Sequence, residues 1–227
     1  MMTKANVLAL DTSTSCLSVA LMRDKATVSE INLTVKVGHA GMILQVIDDV
    51  LSTSSTGKDE ITLVAAGTGP GSFTGLRIGI ATAKGLAKAI RCPLAGIPTL
   101  DIIAHSALPS SMQIMPILDA KKGEVYCALY NKDGSRLTDF MNLRPEGIAG
   151  LISEDTLFVG NGCDIYRDML IKDLGGRYHE GPALLWQPRA SVLAGIALAI
   201  PIESLSRDVQ PLYIRASDAT LLLERRG

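Results

Sequence analysis

The chain has 227 residues, of which 47% are hydrophobic and 20% charged, and its formal net charge is −1. A chain of this length can bury a core without disulfides, and a net charge near zero argues against tight nucleic-acid binding by this chain alone. The four cysteines, Cys16, Cys92, Cys127 and Cys163, form no CxxC pair and are expected to be small buried hydrophobes. Without a signal-peptide pattern or an apolar run of about 18 residues, we expect a cytoplasmic protein with no membrane span.

Hydrophobic patterning predicts an α/β protein. Short apolar or alternating runs predict strands, at 7–10, 16–22, 26–33, 61–66, 94–97, 114–118, 125–130 and 156–159. Apolar positions that recur every three to four residues predict helices, at 38–52, 72–90, 99–107, 164–172 and 189–200. The order strand–strand–strand–helix occurs early and, in a looser form, after Gln113. We therefore predict two related α/β subdomains, residues 1–105 and residues 106–227.

The polar turn Asp11-Thr12-Ser13 follows the first predicted strand. A carboxylate with neighbouring hydroxyls could position a magnesium ion and a phosphate group. The alternative is a turn that its own side chains close by local hydrogen bonds to the backbone. The residues alone leave both alternatives open.

The glycine-rich segment GTGPGSFTGLRIG occupies residues 67–79 and joins a predicted strand to a predicted helix. It lacks the lysine of the P-loop motif and the third glycine of the dinucleotide-binding motif. What remains for a phosphate is the amino terminus of the helix, together with Gly69, Gly71 and Ser72. Ser72 is also the predicted N-cap of that helix. The segment therefore either cradles a phosphate or only turns the chain into the helix.

The helix that follows carries small residues at every fourth position: Gly75, Gly79, Ala83 and Ala87. Each glycine inside a helix costs about 1 kcal/mol relative to alanine. The pattern therefore indicates that another backbone approaches this side of the helix closely. That backbone could belong to the protein's own sheet or to a helix of a partner subunit, and spacing does not separate the two.

Asp101 and His105 stand four residues apart in the predicted helix 99–107. Such a pair could ligate a metal or could simply stabilise the helix. His39 begins the first predicted helix, where capping or packing is expected. The sequence has no HExxH or GxSxG element, so nucleophilic catalysis finds no support.

Four segments together resemble the bacterial TsaB (YeaZ) family. They are VLALDTS at 7–13, the glycine-rich segment at 67–79, ILDAKKGEVY at 117–126 and QPLYIR at 210–215. The resemblance implies an actin/hexokinase/Hsp70-like (ribonuclease H-like) fold with two related subdomains. It also implies a part in making threonylcarbamoyladenosine on tRNA, as a non-catalytic subunit that binds and activates a TsaD-like transferase, with a TsaE-like ATPase joining them.

The resemblance further implies where the partner binds. The helices that start near His39 and Ser72 are expected to pair with the TsaD-like subunit, or with a second copy when the protein is isolated as a homodimer. The residues expected on that surface are His39, Met42, Val46, Val50, Gly75, Leu76, Arg77, Gly79 and Ala83. Any phosphate cradle is then expected to be vestigial, and its residues would be Asp11, Thr12, Ser13, Gly69, Gly71 and Ser72.

TsaD-like chains carry a metal-binding histidine pair, H-x-x-x-H, that corresponds here to Asp101 and His105. The pair is degenerate, so the resemblance implies no metal, no catalytic residue and no cofactor in this chain. ATP binding is expected in the complex, and tRNA is expected to be reached only through the complex. The alternative is a stand-alone ATP- or metal-dependent transferase or hydrolase, of the glycoprotease-like kind, that uses Asp11, Asp101 and His105.

Overall fold

The computed structural model describes residues 5–35, 38–205 and 208–214, so Arg215 of the last motif lies outside it. The described residues form two compact units. The first contains the chain up to Ser106 together with Gln187–Pro211, and the second contains Ala107–Trp186 and the described residues from Leu212 onward. The predicted second subdomain, 106–227, is therefore too long, because the segment from Gln187 returns to the first unit.

The strands and helices lie close to the predicted positions. The strands are β1 Asn6–Asp11, β2 Cys16–Arg23, β3 Ala26–Thr34, β4 Leu63–Gly69, β5 Leu94–Pro98, β6 Gln113–Lys121, β7 Glu124–Cys127, β8 Met141–Leu143, β9 Thr156–Val159 and β10 Tyr178–Glu180. The helices are α1 Ile43–Thr53, α2 Phe73–Ile90, α3 Thr99–Ser106, α4 Gly162–Leu174 and α5 Ala190–Leu198. The strand predicted at 125–130 ends at Cys127, and β8 and β10 were not predicted.

The first unit is a three-layer α/β structure. Its sheet has the order β3-β2-β1-β4-β5, with β1 antiparallel to β2 and parallel to β4. Every residue of β1 and β4 is buried, which is why both strands read as continuous apolar runs. Helices α1 and α2 cover one face through one shared hydrophobic cluster, and α3 and α5 contribute to the cluster on the other face. Within the described residues, no helix is both long and apolar enough to cross a membrane.

Helix α5 returns to the first unit because polar groups of β2 and β3 hold its amino terminus. The amide of Ala190 donates to Ser18 Oγ at 2.7 Å. The Glu30 carboxylate accepts from the guanidinium of Arg189 at 2.6 Å and from the amide and hydroxyl of Ser191 at 3.0 and 2.8 Å. A carboxylate at a helix amino terminus also favours the helix dipole.

The second unit repeats the topology of the first. Its sheet has the order β10-β9-β6-β7-β8, with β6 antiparallel to β7 and parallel to β9. Strands β6, β7, β8, β9 and β10 thus correspond to β1, β2, β3, β4 and β5. The prediction of two related α/β subdomains is confirmed at the level of sheet topology.

Candidate functional site

The candidate site lies at the carboxyl end of β1, where Asp11 begins the polar turn. Asp11 is fully buried, and its Oδ1 accepts hydrogen bonds from the amide of Ser13 at 2.9 Å and the hydroxyl of Ser13 at 2.7 Å. The turn is thus closed by local hydrogen bonds, the second of the two alternatives. Burial raises the pKa of Asp11 to about 6, although the bonds from Ser13 and the nearby His39 act in the opposite direction.

The other carboxylate oxygen of Asp11 packs against the neighbouring strand β4. Oδ2 is buried and has no hydrogen-bond partner among the described residues. A Cβ atom added at Gly67 would overlap it, so a side chain at that position would displace Asp11. A buried carboxylate that faces a glycine would repel a phosphate and is closed to solvent.

The glycines of the glycine-rich segment leave the space that this turn occupies. A Cβ added at Gly71 would overlap the carbonyl oxygen of Ser13, and one added at Gly75 would overlap the carbonyl oxygen of Thr12. A Cβ added at Gly79 would overlap the hydroxyl oxygen of Thr12. The backbone that approaches the small-residue side of α2 is therefore the protein's own. The turn takes the position that a partner helix would need.

Hydrogen bonds lock the two segments together. The Thr12 hydroxyl donates to the carbonyl oxygen of Gly75 at 2.7 Å, and the amide of Ser72 donates to the carbonyl oxygen of Ser13 at 2.7 Å. Ser72 is the N-cap of α2, as predicted, since its hydroxyl accepts from the amide of Gly75 at 3.2 Å. The structure thus places the polar turn against Gly71 and Ser72, but the amide of Ser72 is used internally. As arranged, these residues do not fit a bound phosphate.

Most of the predicted partner surface proves to be interior. Six of the predicted residues are buried in the first unit, namely Val46, Val50, Gly75, Leu76, Gly79 and Ala83. The reason is that α1 and α2 each turn their most apolar side towards their own sheet. The prediction that these six residues contact a partner is therefore wrong.

What the two helices do expose is a smaller apolar surface at their amino-terminal ends. Met42 and Leu44 on α1 are 41% and 62% exposed, and Phe73 on α2 is 37% exposed. Arg77 lies on the exposed side of α2 with its guanidinium 3.8 Å from the centroid of the Phe73 ring. Sequence reasoning missed Leu44 and Phe73. The signal for Leu44 is its position out of phase with the buried stripe of α1.

Charge separates the exposed sides of these two helices, which lie on the same face of the sheet. Helix α1 has two adjacent acidic residues, Asp48 and Asp49, and no basic residue. Helix α2 has no acidic residue. Its cations Arg77, Lys84 and Lys88 recur at spacings of seven and four, which places them on one side of the helix.

His39 lies between the turn and α1 and points inward. Its ring is half-buried, and Nε2 donates to the carbonyl oxygen of Thr14 at 2.9 Å. The ring therefore packs on the chain that carries it, as one of the two sequence interpretations expected.

The Asp101 and His105 pair forms its contact through the backbone. His105 Nδ1 donates to the carbonyl oxygen of Asp101 at 2.8 Å. Across residues 5–35, 38–205 and 208–214, no group of three or more His, Cys, Asp or Glu side chains is placed to hold a metal ion. Burial raises the pKa of Cys16 to about 11 and that of Cys127 to about 12, so neither thiol is an activated nucleophile.

The repeated sheet topology and the paired turn and loop define the class of protein. The solved structure of (R)-2-hydroxyglutaryl-CoA dehydratase component A from Acidaminococcus fermentans shares this fold, with a TM-score of 0.52 at 13% identity over 86% of this chain and 96% of that one. The chain is an α/β protein of the actin/hexokinase/Hsp70-like class.

Closer relatives give the family. TsaB of Escherichia coli (strain K12), described as a tRNA threonylcarbamoyladenosine biosynthesis protein, is 34% identical over 92% of this chain and 94% of that protein. The structure of an uncharacterized Pseudomonas aeruginosa protein with similarity to peptidase YeaZ matches with a TM-score of 0.79 and 26% identity, over 93% of this chain and 100% of that one. The family model of TsaD, tRNA N6-adenosine threonylcarbamoyltransferase, matches residues 34–201. The chain belongs to the TsaB (YeaZ) family.

Proposed function

We propose that this chain is a non-catalytic subunit of tRNA threonylcarbamoyladenosine biosynthesis, and that it acts by binding and activating a TsaD-like transferase. The pathway follows from the name of its 34% identical relative. The observation that carries the binding role is the apolar surface that α1 and α2 expose at their amino-terminal ends. We name it the helix-end surface and define it as Met42, Leu44, Phe73 and Arg77.

The composition of the helix-end surface supports a protein partner. Methionine, aromatic residues and arginine are enriched in the cores of protein interfaces, and Met42, Phe73 and Arg77 are of these types. Leu44, at 62% exposure, gains most from being covered. Asp48 of α1 is paired with Lys58 at 3.1 Å and Lys84 of α2 with Asp208 at 2.8 Å. The exposed Asp49 of α1 and Lys88 of α2 are therefore the charges that we expect to orient a partner.

We propose that the same surface also mediates self-association of the isolated protein. A two-fold interface places the same patch of both copies together, so acidic α1 of one copy can face basic α2 of the other. We propose that a TsaD-like subunit replaces the second copy in the complex. A TsaE-like ATPase, ATP and tRNA are then engaged by the complex, in the cytoplasm, and tRNA is not bound by this chain alone.

Three observations favour a role without catalysis. The Asp11 turn is filled by the chain's own hydrogen bonds. His105 donates to the backbone carbonyl oxygen of Asp101, a bond that stabilises the helix. The Cys16 and Cys127 thiols have pKa values raised by burial.

The binding experiment compares Leu44→Glu with Leu137→Glu. Leu137 is 49% exposed and lies in the other unit, so it is a matched control for adding a surface charge. Affinity for the cognate TsaD-like subunit is measured by calorimetry. Leu44→Glu should weaken it by about thirtyfold, as loss of a central apolar contact does, and Leu137→Glu should leave it unchanged. Normal binding by folded Leu44→Glu would remove the surface from the proposal.

Whether Asp101 and His105 take part in catalysis is tested by reconstituting the pathway with all partner subunits, tRNA, ATP, threonine and bicarbonate. The modified nucleoside is measured by mass spectrometry in three reactions: without this chain, with it, and with its Asp101→Ala/His105→Ala variant. We expect product to require the chain but not the two side chains. A double variant that binds the partner normally but yields no product would show that this site performs chemistry.

A further inference from the structure

We propose that Thr12 and His39 are positioning residues that set the spacing of α1 and α2 through one shared turn, and thereby shape the helix-end surface. The proposal rests on the proposed function, since it concerns how the same surface is held. It replaces the direct partner contact that sequence reasoning assigned to His39.

The link to α2 runs through Thr12. The hydroxyl of Thr12 donates to the carbonyl oxygen of Gly75 at 2.7 Å, in the first turn of α2. The next residue, Ser13, accepts from the amide of the helix N-cap Ser72 at 2.7 Å. Thr12 fills the space beside Gly75 and Gly79 and so fixes the distance between α2 and the sheet. The bond from Ser72 to Ser13 fixes the position at which α2 begins.

The link to α1 runs through His39. The ring donates from Nε2 to the carbonyl oxygen of Thr14 at 2.9 Å. Helix α1 begins four residues after this anchor, at Ile43. Leu44, which is 62% exposed, therefore lies five residues along the chain from a bond to the polar turn.

Both helices are thus anchored to neighbouring residues of one turn, α2 to its buried residues Thr12 and Ser13 and α1 to the half-buried Thr14. Thr12 and Ser13 are 2% and 1% exposed, so the turn itself has little room to move. A partner that covers Leu44 of α1 and Phe73 of α2 together needs the two helices at a fixed separation. Loss of the bond from Thr12 to Gly75, or of the bond from His39 to Thr14, would free the amino-terminal end of one helix. It would leave every residue of the helix-end surface in place.

The experiment uses paired substitutions in the full chain. Thr12→Val keeps the shape and removes the hydroxyl, whereas Thr12→Ser keeps the hydroxyl. His39→Phe keeps a ring and removes the donor, whereas His39→Gln keeps a donor. Affinity for the TsaD-like subunit is measured well below each variant's melting temperature, beside Leu44→Glu as the direct test of the surface.

We expect Thr12→Val and His39→Phe to weaken binding by up to about tenfold, as loss of one hydrogen bond allows. Thr12→Ser and His39→Gln should stay within about twofold of the unsubstituted protein. A role in stability alone would lower the melting temperature and leave the affinity of the folded protein intact. Equal losses for both members of a pair would assign the effect to packing and overturn the proposal.

The two proposals fail in different ways. If Leu44→Glu binds normally, the helix-end surface is not the interface and the proposed function is at fault. If Leu44→Glu binds weakly while Thr12→Val and His39→Phe bind normally when folded, only the positioning role is overturned. In the Leu44→Glu background, Thr12→Val should add less than about twofold, because the surface it positions is already lost.

Discussion

Gly79→Ala tests whether the small-residue side of α2 serves the protein's own sheet. The added Cβ would overlap the Thr12 hydroxyl oxygen, and its next nearest atoms, Leu10 Cδ1 and Thr12 Cβ, stand at 3.5 Å, an ordinary contact distance. Overpacking costs about 1–3 kcal/mol and the lost hydrogen bond to Gly75 about 1 kcal/mol, while alanine regains about 1 kcal/mol of helix propensity. We expect a net loss of about 1–3 kcal/mol in the free energy of unfolding.

The same substitution should behave differently once the overlapping oxygen is absent. In a Thr12→Ala background the remaining neighbours at 3.5 Å accommodate the new methyl group. Gly79→Ala should then be neutral or stabilise by up to about 1 kcal/mol. The matched control is Gly85→Ala on the same helix, where an added Cβ meets no atom within 4 Å. It should stabilise by about 0.5–1 kcal/mol in both backgrounds.

Urea unfolding followed by far-ultraviolet circular dichroism is the assay. Fluorescence would follow the wrong unit, because the single tryptophan, Trp186, lies in the second unit. Hydrogen exchange of the α2 amides assigns the change to the first unit. If Gly79→Ala costs the same with and without the Thr12 side chain, α2 does not rest on Thr12, and the small-residue side of α2 is again open to a partner helix.

The remaining predictions concern the carboxylates of Asp11, which is buried, and Glu30, which is half-buried. Burial holds the pKa of Asp11 at about 6, above its ordinary 3.8. The free energy of unfolding is therefore highest below about pH 4, where Asp11 is protonated, and falls by about 3 kcal/mol as the pH rises through 6. Asp11→Asn should flatten this part of the plot of unfolding free energy against pH, and an unchanged plot would contradict the prediction. Burial alone would raise the pKa of Glu30, but bonds from Arg189 and Ser191 lower it below 4.5. Its stabilisation is therefore present above pH 4.5 and lost on further acidification, and Glu30→Gln should cost about 1–3 kcal/mol and speed exchange in α5, unlike the exposed control Glu203→Gln.

Local signals predicted the local structure well. The first three strands were placed within one residue at each end, because apolar runs bounded by polar turns specify both the strand and where it stops. The N-cap at Ser72 and the end of α2 at Ile90 were also predicted, since a cap hydroxyl and a following Cys-Pro act on adjacent residues.

Long-range contacts account for what could not be predicted. The bond from Thr12 to Gly75 joins residues 63 positions apart, and that from Arg189 to Glu30 joins residues 159 positions apart. Neither pair has a periodicity that would reveal it. Such contacts determine which side of α2 faces the sheet. They also determine that Gln187–Pro211 packs in the first unit.

The glycine-rich segment shows why a loop that holds a phosphate and a loop that holds its own chain look alike in sequence. Both need glycines, because a phosphate oxygen and a backbone carbonyl oxygen require the same absence of a Cβ. Here Gly71 and Gly75 admit the carbonyl oxygens of Ser13 and Thr12. The missing lysine is the sequence feature that separates the two, because a carbonyl oxygen needs no counter-charge and a phosphate does. In the proposed arrangement, the same contacts that fill the space beside these glycines also hold α2 against the turn, and a pre-formed binding surface needs such fixed contacts.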